Sequence, residues 1–467
     1  MEKHCSRFLF ITFDEPMEIN SKHPYSKFLL PGIVLVLVTV LYVALLTALP
    51  KYAGRVPFLG LLFLIEWMVY RDIRRFWLKY NAFIRIAFAV FWWLPVSLLF
   101  IFLIGSVFKP LQEWNDWPRI YLPGAALIMI VSKVAMFAGL LPFYLIRLLS
   151  FLVGLFRKKG SFHFPGIERF FRITGILLAG IVLLLMTIGS IYWVYRFKVH
   201  KVNLVIEDLP PRFEGLKIVQ LSDIHLGSWV SAKPLQRAVD QVMALKPDLI
   251  VFTGDMVNYS TDEVHGFEST LAQLKAPLGV YAILGNHDYG DYTPWESDAA
   301  KAKNMVDLEV FYQEIGWKLL RNESDLITVD SATLLLAGVE NWSATSRFKK
   351  YGDMKTTLDS YPFADLNILL SHDPTHWDAE VTDSYTQFDL TLSGHTHGMQ
   401  MGIEMAGIRW SPSQYLYKEW AGLYTYHTSY GGVSYLYINR GLGHIGYPGR
   451  VGILPEITLI TLTKVAD

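Results

Sequence analysis

Before residue 197 the chain carries four long apolar stretches, 29–50, 83–108, 120–148 and 173–195, and each is long enough to cross about 30 Å of hydrocarbon as a helix. A chain so built cannot bury its first two hundred residues in an ordinary water-soluble core. The 52% hydrophobic content comes largely from this half. A further apolar segment, 57–70, is short and contains Glu66, so whether it crosses stays open. Residues 1–28 are a polar tail with Asp14, Glu15 and Glu18, unlike a cleavable signal peptide. The single cysteine, Cys5, excludes an internal disulfide framework.

Basic residues orient the spans. Arg71, Arg74, Arg75 and Lys79 precede the second long span, and Arg157, Lys158, Lys159 and Arg169 precede the last. Cytoplasmic loops are enriched in such residues, which puts both clusters inside and everything after Arg196 outside. Lys133 falls within the third long span, where a lysine either serves function or faces neighbouring helices.

From about residue 198 the apolar runs shorten to strand length and alternate with amphipathic segments, which predicts an α/β domain over 198–467 behind a transmembrane region at 29–197. Strands are expected at 216–221, 249–252, 280–284, 368–370 and 390–392, with a strand pair over 326–338. Helices are expected over 232–245, 262–275 and 296–316. Five of the strands run directly into polar residues: Asp223 and His225, Asp255, Asn286-His287-Asp288, His372, then His395 and His397. If the last loop is extended, both of its imidazoles face one way, because residues two apart share a face.

Each of these blocks alone reads as a cap or a turn. Five together at strand ends point to a metal site, since carboxylate, amide and imidazole form a mixed oxygen and nitrogen shell without thiolates. A shared carboxylate can hold two ions about 3.5–4 Å apart, where they activate water and clamp phosphate oxygens. The net charge is zero, and no basic run or zinc-finger spacing argues for nucleic acid.

In order, the blocks read D-x-H, G-D, G-N-H-D, H and G-H-x-H, and in this they resemble the calcineurin-like metallophosphoesterase superfamily. The stretch Gly394 to Gln400 and the tail from Asn439 to Gly443 resemble its membrane-anchored bacterial branch, the YkuE/YaeI-type phosphodiesterases. Many relatives have glycine where this chain has Met399. The resemblance implies a four-layer α/β/β/α sandwich and two divalent ions (Mn, Fe, Zn or Mg). It implies Asp223, His225 and His397 on one ion, Asn286, His372 and His395 on the other, and Asp255 bridging. It makes His287 the group that protonates the departing oxygen, and it has Asp288 orient His287 or support the turn. Arg440 is then a candidate contact for substrate phosphate, whereas the basic patch Arg347, Lys349 and Lys350 reads as a solvated loop. The tyrosine-rich run 415–437 suits either a lipid interface or a half-buried strand.

The implied function is hydrolysis of a phosphodiester or pyrophosphate in a membrane-associated or envelope substrate, possibly lipid-linked. The expected setting is the bacterial plasma membrane, with the lipid bilayer as partner and the catalytic domain periplasmic or extracellular. The alternative is a metal-binding scaffold without catalysis, or a transport-associated membrane protein.

Overall fold

The computed structural model describes residues 26–48, 53–109, 113–157, 165–359, 364–405, 407–428 and 432–464. The expectations resting on the tail before residue 26 and on Lys158 and Lys159 lie outside these residues. The chain forms two compact units, one ending at Asn81 and the other beginning at Ala82.

The first unit pairs helix α1 (Ser26–Ala48) with α2 (Arg55–Trp77). The open segment 57–70 is thus part of a 23-residue helix whose later turns carry Arg71, Asp72 and Arg74. The second unit begins with α3 (Ala82–Phe108), α4 (Asp116–Arg157) and α5 (Pro165–Ile191). These three are the helices long and apolar enough to cross a membrane among the described residues; α1 offers a shorter apolar stretch, Gly32–Thr47. At 42 residues, α4 is about 60 Å long, roughly twice the hydrocarbon thickness. Lys133 of α4 donates to the Trp92 carbonyl of α3 at 2.6 Å and lies 4.4 Å from that indole, so it faces a neighbouring helix.

After α5 come two six-stranded sheets. The first runs in the order β1 (Lys198–Ile206), β14 (Glu456–Lys464), β2 (Lys217–Leu221), β3 (Leu249–Phe252), β4 (Val280–Ala282) and β5 (Lys318–Leu319). The second runs β12 (Gly422–His427), β13 (Val433–Ile438), β9 (Leu390–Ser393), β8 (Leu366–Leu370), β7 (Ala332–Gly338) and β6 (Glu323–Val329). Side chains alternate across each strand. Ile218, Leu249 and Val251 of the first sheet share a core with Leu334, Ile368 and Leu390 of the second, so the sheets pack face to face. Their neighbours Val219, Ile250 and Phe252 point the other way, onto helices Ala232–Ala244 and Asp298–Glu314. Leu369, Leu436 and Ile438 likewise meet Trp377 and Val381 on the far face of the second sheet. The result is the expected layered α/β sandwich. Gln220 ties the sheets from within, donating to the Ser393 carbonyl at 2.8 Å and to Thr253 at 3.1 Å.

The helix expected over 262–275 is reduced to one turn, Glu268–Leu271, preceded by a 3-10 turn at Thr261–Val264. Gly266 interrupts it with φ +88°, a left-handed conformation that ends helical winding. In addition, the Glu263 carboxylate accepts from the backbone of Asn258 and Tyr259, which fixes a loop there instead.

Candidate metal centre

The carboxyl ends of β2, β3 and β4 in one sheet and β8 and β9 in the other converge, and all five polar blocks lie there. Asp223, His225 and His397 form one cluster, and Asp255, His372 and His395 a second. The clusters are stitched by short approaches: His225 Nε2 to His397 Nε2 is 3.1 Å, and His395 Nδ1 to His372 Nε2 is 3.2 Å. One oxygen, Asp255 Oδ2, lies 3.2 Å from His372 Nε2 and 3.6 Å from His225 Nε2, between the two.

The backbone that achieves this is unusual. Asp223, His225, Asp255, His395 and His397 all have φ between +50° and +70°. Non-glycine residues rarely adopt this region, and they concentrate at functional sites when they do. It also corrects one expectation. The chain at His395 and His397 is not extended, and its two imidazoles diverge, one into each cluster.

Neighbouring groups fix the rings. His372 Nδ1 donates to the Thr253 carbonyl at 2.7 Å, which leaves Nε2 facing Asp255. His287 Nδ1 donates to the Asn258 carbonyl at 2.8 Å; its ring stacks on Tyr292 at 4.3 Å and lies edge-on to His225 at 5.0 Å. Asn286 donates through Nδ2 to Tyr292 Oη at 2.8 Å, and its carbonyl oxygen is buried with no protein partner. The hydroxyl of Tyr417 lies 3.0 Å from His395 Nε2.

Burial alone would raise the Asp255 carboxyl, but His372 and His287 hold it well below the usual carboxylate range. Burial opposes the charge on Asp223 in the same way, and His397 outweighs it. Burial keeps the His225 and His287 rings neutral. At His372 burial is overcome by the Asp255 carboxylate, and the ring is pushed up to about 10. A positive charge is therefore favoured between Asp255 and His372. Together with the orphaned Asn286 oxygen and the two mixed clusters, this fits a pair of divalent cations.

Hydrogen bonds place Asp288, open between two roles, and Arg440, a candidate phosphate contact. The Asp288 carboxylate does not reach His287; it accepts backbone N–H bonds from Gly285, Asp255, Met256 and Val257 at 2.8–3.2 Å, so it supports the turn. Arg440 is 2% exposed and bonded to Glu456 at 2.5 Å and Glu404 at 2.6 Å, which removes it from substrate reach and corrects that expectation. Of the basic patch, Lys349 pairs with Asp291 at 2.8 Å and Lys350 covers Trp342 at 3.7 Å. Arg347 is exposed and lines a cavity of about 160 Å³ with Asn286 and Tyr292.

Arg450 carried no signal in the sequence. It is fully buried and donates to the carbonyls of His397, Arg440, Gly441 and Gly443, binding the His397 loop to the segment after β13. An arginine between glycines reads as surface, and only the fold reveals the four carbonyls around it. Tyr292 and Phe348, whose ring stands edge-on to His395 at 4.8 Å, were equally silent, and Tyr417 stood out only as part of the tyrosine-rich run 415–437.

A layered sandwich with two His/Asp clusters at the carboxyl ends of its strands defines a metal-dependent hydrolase. The model of the calcineurin-like phosphoesterases matches residues 216–399. The chain is similar to the uncharacterized metallophosphoesterase YkuE of Bacillus subtilis, with 32% identity over 257 residues, 54% of this chain and 81% of that one. It is also similar to a transmembrane protein with metallophosphoesterase domain from Danio rerio, 31% identical over 57% of each chain. UDP-2,3-diacylglucosamine pyrophosphatase LpxG of Chlamydia trachomatis is 27% identical over 50% of this chain and 81% of its own. The chain belongs to the calcineurin-like metallophosphoesterase family.

Proposed function

We propose that this protein is a membrane-anchored phosphohydrolase that cleaves a phosphodiester or pyrophosphate at the bilayer surface. The observation that carries the reading is Asp255 Oδ2, a single buried carboxylate oxygen placed between the two clusters. Asp223, His225 and His397 would hold one divalent ion, Asn286, His372 and His395 the other, with Asp255 shared. Bound there, the ions would activate water and offset charge on the phosphoryl oxygens.

The chain's own groups supply the rest. The His287 Nδ1–H bond to Asn258 pins the ring and leaves Nε2 as its free nitrogen. A phosphate anion beside it favours the protonated ring. Nε2–H then donates to a phosphoryl oxygen and passes the proton to the departing oxygen. Tyr292 holds the Asn286 amide so that its carbonyl points inward. Arg347, at the rim, is better placed than Arg440 to meet a substrate phosphate.

The test is turnover of a soluble phosphodiester and a pyrophosphate by the detergent-solubilised protein, with manganese and with chelator. Metal-dependent turnover that disappears in Asp255→Asn is expected. Unchanged turnover in that variant would overturn the assignment. The charge pattern of the loops supports a domain on the extracytoplasmic side. A reporter fused after Lys201 that is active only in the cytoplasm would refute that.

The pyrophosphatase among the relatives acts on an acylated sugar nucleotide by its name, and a substrate of similar amphipathic character suits an enzyme tied to lipid.

A further inference from the structure

The segment after the second cluster leaves the site as a surface hairpin, β10 (Ile403–Met405) and β11 (Ile408–Trp410), followed by a turn to Tyr415. Most of its exposed side chains are apolar, with Arg409 and Gln414 the polar ones among them. Met405 is 72% exposed, Ile408 61%, Tyr415 74% and Leu416 65%, with Met399 and Ile403 also open. Met399 holds φ +47°, so an apolar side chain is displayed there from a backbone that favours glycine. Patches of this kind on a soluble surface mark an interaction site.

The hairpin is rooted on the membrane helices. Gly402 donates to Val451 at 2.8 Å, Val451 donates to Gln400 at 2.8 Å, and Arg450 donates to the carbonyl of Gly189 on α5 at 3.2 Å. Tyr447 hydrogen-bonds the Met186 carbonyl, one turn earlier on the same helix. A Cβ on Gly189 would meet the Arg450 carbonyl at 2.5 Å, and one on Gly124 of α4 would meet Pro448 at 2.4 Å. Lys198, where the chain leaves α5, pairs with Glu404 of the hairpin at 3.8 Å. The apolar surface thus continues from the end of a membrane-crossing helix. At its other end it reaches the site, because Leu416 adjoins Tyr417, whose hydroxyl touches His395.

We propose that this hairpin and turn seat in the lipid interface at the end of α5, with Met405, Ile408, Tyr415 and Leu416 in the boundary between headgroups and acyl chains. The rim of the metal centre then faces the phosphates of lipid-borne substrates. The seating stands on the apolar surface and its rooting, whereas the substrate consequence rests on the phosphohydrolase reading.

The full chain carrying Cys5→Ser would be labelled with bimane at Met405→Cys, at Ile408→Cys and, as a control on the exposed edge strand β6 at the end of the sheet opposite the site, at Thr328→Cys. It would be reconstituted in vesicles of equimolar phosphatidylethanolamine and phosphatidylglycerol containing nitroxide lipid. Labels at 405 and 408 quenched severalfold more than the label at 328 are expected. Equal quenching at all three positions overturns the proposal. So does protection of 405 and 408 from aqueous iodide without quenching by nitroxide lipid, which would indicate a second copy or another protein on this face. In a separate arm, Met405→Glu/Ile408→Glu should retain turnover of a soluble phosphodiester yet lose about tenfold on a vesicle-borne phosphoester. Equal loss on both substrates overturns the access role. Absence of soluble turnover even in the parent protein counts against the hydrolase reading and leaves the quenching result to decide the seating.

Discussion

At the residue scale, the centre depends on side chains that touch no substrate. Asp288 takes four backbone N–H groups around Asp255 and Gly285. Asp288→Ala would leave those donors buried and unpaired, and a loss of about 3–5 kcal/mol is expected, as for a broken buried charged partner. A fall in melting temperature together with lower metal content would show it. His287→Gln should behave differently, retaining metal while turnover drops roughly 10²–10⁴-fold, the range for a positioned acid. Met399→Gly relieves a left-handed residue and should stabilise by about 1 kcal/mol, measured by thermal unfolding. Glu456 sets an acid limit. Burial opposes its ionisation, but Arg440 and His200 outweigh it and hold it at about 2, below the ordinary 4.5. Its contribution is therefore complete above pH 4.5 and is lost as pH falls towards 2. A shift of this size is worth on the order of 3 kcal/mol. Glu456→Gln should lower stability at neutral pH and flatten the loss between about pH 5 and 2 in an unfolding titration.

At the scale of elements, the strand ends were legible and the loops between them were not. Leu249–Phe252 forms the strand its apolar run demands, and β2, β8 and β9 fall within two residues of expectation. Their burial on both faces gives continuous apolar runs, a strong signal. The polar blocks are equally local, so a metal site was legible in them, while their division into two clusters came from the family resemblance. Arg450 could not, because its partners are carbonyls up to 53 residues away, and a carbonyl has no identity in sequence. The left-handed ligands escaped for a similar reason: the extended geometry assumed for His395 and His397 was a rule about strands applied to a loop. The Arg450 tie predicts that Arg450→Met loosens the His397 loop. Metal analysis should then show one site emptied more readily than the other, with secondary structure unchanged.

At the scale of the whole molecule, composition announces the membrane helices and periodicity announces the sandwich, yet neither shows how they are joined. Arg119, near the start of α4, donates to the Gly227 carbonyl at 2.9 Å and lies 3.8 Å from Glu263, just past the His225 loop. The end of α5 carries the Arg450 segment, which in turn holds the His397 loop. Both loops that carry one cluster are thus braced by helices long and apolar enough to cross a bilayer. The change of texture near residue 198 looks like a place to cut, but α3, α4 and α5 form one compact unit with everything after them. A fragment starting at Lys198 would leave behind the Gly189 carbonyl, the Met186 carbonyl and the Arg119 guanidinium, and with them the rails on which two metal-binding loops run. The seam that is plainest in the letters is therefore the wrong one for a knife: the half that bears the metal centre, cut away from its apolar helices, would be an unfaithful witness to the enzyme.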